Sequence, residues 1–117
     1  MTIEQTDSYT ILRPLDENSG KSLITISDFF KEFSDNYTKF KNENLILDFS
    51  KNINTDLKEI LLFSQLSEVH KNNDKSFVIV CNGIDFDDLP NKLIAVPTFK
   101  EAEDVIEIEE IERDLGI

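Results

Sequence analysis

The chain has 117 residues and a formal net charge of −12, from 12 Lys and Arg against 24 Asp and Glu. That length suits one domain with a real core, and an apolar content of 39% with nine Phe argues against a disordered chain. Charge of this sign repels phosphate backbones and anionic headgroups, which makes nucleic acid and membrane surfaces poor partners and a basic protein surface the better match.

Taken in chain order, "MTIEQTDSYT" has neither basic residues nor an apolar run, so the sequence predicts no signal peptide and a cytoplasmic protein. "SYTILRP", residues 8 to 14, alternates as a strand does, and Pro14 marks a strand end or a sheet edge. "LDENSGK" is turn chemistry, and "SLIT" reads as a short second strand. From Ser27 to Phe40 the period changes: Ile26, Phe29, Phe30, Phe33, Tyr37 and Phe40 fall within a helical arc of about 100°. Burying such a stripe is worth roughly 8–15 kcal/mol as an upper bound, so it reads as core and not as a ligand pocket.

"NLILDF" lacks polar alternation, as a parallel strand covered on both faces should. Asp56 caps the next helix, with Glu59 completing a capping box, and that helix is expected to run to Asn72. Its core stripe is read as Leu62, Phe63, Leu66 and Val69, with Ile60 at the edge and Leu57 and Leu61 on another face. "KSFVIVCNG" is a further buried strand, "IDFDDLP" a turn or single helical turn, "KLIAV" a strand, and Pro97 to Arg113 an acidic helix. Residues 99 to 117 hold eight acids and two bases. Strands alternating with helices define an α/β class, a single domain over residues 1–117 with a sheet of four to five mostly parallel strands, in which 44–49 and 76–81 are neighbours.

Little of this carries reactive chemistry. Cys81, the only cysteine, sits at the end of a strand, where it serves as a small hydrophobe. His70, the only histidine, is expected to be solvated near a helix end. Asp85, Asp87 and Asp88 match no complete calcium loop, Gly20, Gly83 and Gly116 form no phosphate cradle, and Ser50 and Ser64 lack a histidine partner. The expectation is a protein that is not an enzyme and uses no cofactor or metal.

"NLILDFSKNINTD" and "VPTFKEAEDV" resemble the STAS domain of anti-sigma-factor antagonists, and the resemblance extends in element order over nearly the whole chain. It implies a STAS-like single-layer sheet with helices packed against it and a regulatory role through protein–protein interaction. The family motif at this helix start is Asp-Ser-Ser/Ala-Gly, whose first serine is phosphorylated by a kinase that is also the anti-sigma factor. Here Asp56 matches, but Leu57, Lys58 and Glu59 occupy the following positions, so the phosphorylation switch does not carry over. Residues 82 to 92 are also short for the family's third helix.

The resemblance implies a non-catalytic interaction module that binds a partner constitutively, either an anti-sigma factor or a related regulator. The expected contacts are Asp56, Leu57, Lys58 and Leu61 at the junction and Ile108, Ile111 and Leu115 on the last helix. Leu57 and Leu61 either pack under residues 82–92 or face a partner. The last helix has a first stripe of Phe99, Ala102, Val105 and Ile106 and an offset second stripe of Ile108, Ile111 and Leu115. That second stripe either bends around its own core or meets another chain, and a homodimer stays open. The alternative function is binding of a nucleotide or lipid in the crevice near Ser50 and Asp56.

Overall fold

The computed structural model describes residues 1–15, 23–52 and 55–116. Five strands form one sheet in chain order: β1 (Thr2–Gln5), β2 (Thr10–Arg13), β3 (Leu45–Asp48), β4 (Phe77–Val80) and β5 (Ile94–Val96). β2 to β5 are mutually parallel, and β1 pairs antiparallel with β2 at the edge. β3 and β4 are neighbours in the register Leu45↔Phe77 through Asp48↔Val80, as the two apolar runs predict. β1 lies in "MTIEQ", where no strand is expected. Its residues are exposed or half-exposed, so it lacks the apolar signal of a covered strand. Of "SLIT", Leu23 makes only an isolated bridge to Leu15, while residues 16–22, which hold most of the expected turn, lie outside the described residues.

Helix α1 (Ile26–Asp35) starts at Thr25, whose hydroxyl accepts from the Asp28 N–H, and it buries Ile26, Phe29 and Phe33. It stops short of the expected Phe40. Asn36 donates its side-chain amide to the Glu32 carbonyl at 2.8 Å, an alternative to continuing the helical ladder. Tyr37 is then carried by a 3-10 turn (Tyr37–Lys39) that Phe40 caps, and both rings still reach Phe33.

The expected helix from Asp56 to Asn72 is two helices, α2 (Leu57–Leu61) and α3 (Ser64–Asn72), broken at Leu62 and Phe63. The inward stripe is Ile60, Phe63, Ser67 and His70, with Leu66 half-buried, while Leu62 and Val69 are 41% and 48% exposed. This corrects the stripe read from sequence. Ser67 and His70 can occupy core positions because both find partners there: the Ser67 hydroxyl donates to the Lys92 carbonyl at 2.9 Å, and both His70 ring nitrogens are engaged.

Alternation along the strands builds two cores. Leu45, Leu47, Phe49, Phe77, Ile79 and Cys81 meet Phe29, Phe33 and Phe63 on one face. Ile46, Val78 and Val80 meet Ala102 and Ile106 of helix α4 (Phe99–Leu115) on the other. Because strand order follows chain order, right-handed crossovers place α1, α2 and α3 on the same face, and among the described helices α4 covers the opposite one. Residues 82–92 contain one 3-10 turn (Phe86–Asp88), and their Ile84, Phe86 and Leu89 pack against the aromatic core. No described helix is long and apolar enough to cross a membrane.

Candidate interaction surface

The β3–α2 junction starts from its cap. Asp56 Oδ1 accepts from the Lys58 N–H at 2.9 Å, and Glu59 Oε1 accepts from the Asp56 N–H at 3.1 Å, so the capping box expected from the sequence is complete. Asp56 and Lys58 are exposed, Leu57 is half-buried, and Leu61 is 37% exposed. Neither leucine belongs to the core. Thr55 is buried and its hydroxyl donates to the Asn52 carbonyl at 2.8 Å, while Asn52 also donates to the Ile24 carbonyl at 3.4 Å. Beside Ser50, Asp48 is held by Arg13 at 3.1 Å, and Arg13 also reaches Glu4 at 3.2 Å. The space bounded by Arg13, Pro14, Leu15, Asp48, Lys51 and Asn52 is too narrow to hold a water molecule. Among the described strands the monotone order also has no point of reversal, the feature that opens a ligand crevice in doubly wound folds.

The opposite strand ends hold a polar dock for α4. Asn44, buried just before β3, donates from Nδ2 to Glu110 Oε1 at 2.5 Å and to the Ser8 carbonyl at 3.1 Å. Its Oδ1 accepts from the Ser76 N–H at 2.9 Å and from Arg113 at 3.4 Å, and Arg113 donates to the Ser76 hydroxyl at 3.2 Å. Nearer the start of the helix, the Tyr9 hydroxyl donates to Glu103 Oε2 at 2.7 Å; that bond, together with burial, pushes its pKa up to about 12.

These contacts set the rotation of α4. With Ala102, Ile106, Glu110 and Arg113 turned to the sheet, Ile108, Ile111 and Leu115 lie on the far side, 56%, 52% and 68% exposed. The second stripe does not bend around its own core; it faces solvent. The signal missed at this end was "EN" immediately before an apolar strand. It reads as a loop, yet Asn44 supplies both donor and acceptor to three segments.

His70 departs most from expectation. It is fully buried, not solvated. A carbonyl cannot donate, so Nε2–H donates to the Glu43 carbonyl at 2.6 Å, which leaves Nδ1 to accept from the Tyr37 hydroxyl at 2.7 Å. Burial lowers the His70 pKa, which holds the ring neutral, and burial raises that of Tyr37. The Glu43 carboxylate accepts from the Thr10 hydroxyl and from Gln5 at 3.2 Å. A depression of about 350 Å³ at this end is walled by polar groups, Thr6, Tyr9, Asn44, Lys75 and Glu110 among them, and several of these are already committed to the dock. Among the described residues, no three His, Cys, Asp or Glu side chains converge as metal ligands would.

No protein-family model matches the chain, and no curated protein matches its sequence.

Proposed function

We propose that the chain is a non-catalytic protein-interaction module, a STAS-like domain that binds a protein partner constitutively as a regulatory or complex-forming subunit. The observation that carries this reading is the outward apolar surface at two places: Leu61 of α2, Leu62 at the break and Val69 of α3, and Ile108, Ile111 and Leu115 on α4. Exposed apolar groups on adjacent helical turns have their use in being covered. At the capped helix start, Leu57 stands where the resembled family carries its phosphoacceptor, and a leucine cannot take up the added charge that would switch binding. An anti-sigma factor or related regulator is the partner class this reading favours. The small-ligand reading has weaker support, because the described strand order has no reversal that would open a crevice at the strand ends.

The test is affinity isolation of the full chain from its native cells, followed by native mass spectrometry. A stoichiometric protein complex, diminished by Leu61→Asp or by Ile111→Asp, is the expected result. A mass increase from a small molecule alone would overturn the reading.

A further inference from the structure

The exposed stripe of α4 has the spacing of a helix-pairing seam. Ile108 and Leu115 are seven residues apart with Ile111 between them, which are the a, a and d positions of a heptad. The flanking e and g positions are then Glu107, Glu112 and Asp114, so both borders of the seam are acidic. Among the described residues none of these three carboxylates forms an ion pair, whereas Asp104, one turn earlier, is paired with Lys100 at 2.9 Å. The Asn44–Glu110–Arg113 dock keeps the seam outward, and Gly116 in the left-handed conformation (φ 73°) ends the helix just after it.

We infer that this seam pairs with a helix of a protein partner that presents an apolar stripe flanked by Lys or Arg. The inference rests on the interaction-module reading and deepens it by naming the surface and the partner's chemistry. Charge selects the occupant. Pairing with a second copy sets g against e when the helices are parallel, and g against g and e against e when they are antiparallel. Every such combination here joins two carboxylates. An anionic lipid surface meets the same repulsion. A basic-flanked helix instead meets the unpaired acids on both borders while covering the three apolar side chains.

The probe is a synthetic amphipathic helix about three heptads long, with Leu at a and d and Lys at e and g, titrated into the full chain by fluorescence anisotropy. Saturable one-to-one binding is expected, with a loss of about tenfold or more for Ile111→Asp. That substitution adds negative charge, so attraction by charge alone would strengthen and not weaken. A peptide with Glu at e and g should not bind. Equal binding of the two peptides, or undiminished binding to Ile111→Asp, overturns the inference. Ile108→Asp is the parallel variant, and unchanged thermal midpoints show that either variant remains folded. Self-association of the wild-type chain in sedimentation, abolished by Ile111→Asp, would make the occupant a second copy and overturn the choice of partner. A native partner lost with Leu61→Asp but retained with Ile111→Asp would leave the module reading standing and sink this seam alone.

Discussion

Helix α1 and the second half of α4 both carry apolar residues at helical spacing, and the two stripes come to opposite ends. In α1, Ile26, Phe29 and Phe33 are buried against the sheet; in α4, Ile108, Ile111 and Leu115 face water. The difference comes from what competes for the sheet. On α1 the ion pair of Glu32 with the N-terminal ammonium of Met1, at 3.1 Å, leaves the phenylalanines facing the sheet, whereas on α4 Glu110 and Arg113 find Asn44 and Ser76 waiting at the strand ends. Periodicity reports that a face is apolar, but the polar contacts decide which face turns inward.

The comparison breaks most easily at α1. Phe33 is fully buried among Phe29, Phe40, Phe63 and Phe77, so Phe33→Ala should cost about 3–5 kcal/mol in urea denaturation. A loss below about 1 kcal/mol would show that the stripe is not a rigid core.

The dock comes next. Asn44→Ala strips the buried Ser76 N–H of its acceptor and should destabilise by about 1–3 kcal/mol. Amide exchange should quicken over residues 107–115 more than over 99–106. Uniform quickening along α4 would mean that the dock does not govern the helix's far half.

The third effect depends on pH. Burial lowers the folded pKa of His70 beneath its unfolded value of about 6.5, so the unfolded chain takes up this proton first. The His70 contribution is therefore complete above about pH 6.5 and is lost as pH falls from there towards the folded value. It should appear as a fall in stability between pH 7.5 and 5.5, and His70→Gln, which cannot titrate, should remove it. The same pH dependence in wild type and variant would trace the effect to other groups.

The smallest effect sharpens the contrast. Ile108→Ser should change stability by no more than about 0.5 kcal/mol, because the side chain is already in water. A cost comparable to that of Phe33→Ala would place Ile108 against its own chain.

The same reasoning shows what could be read from the residues. The uninterrupted apolar runs "NLILDF" and "SFVIV" made β3 and β4 legible, and the aromatic spacing did the same for α1. β1 was hidden because an edge strand with exposed faces needs no apolar pattern. The inward face of α2 and α3 was misread because Ser67 and His70 look like surface residues until the Lys92 and Glu43 carbonyls are known to lie opposite them. At the candidate surface, the Asp56–Glu59 box was legible as a local signal. The rotation of α4 was not, since it depends on Asn44, more than sixty residues away in the chain.

Cys81 closes the aromatic face of the sheet at the end of β4, fully buried, and burial pushes its thiol up to about 11. At pH 8 only about one molecule in a thousand would hold the reactive thiolate, even were the site open to reagent. A thiol-labelling reagent can therefore reach the chain's single sulfhydryl only during excursions that part the aromatic core. The labelling rate thus counts those excursions, and each molecule can be scored only once. The protein carries its own stopwatch for transient opening, with no foreign label in the fold.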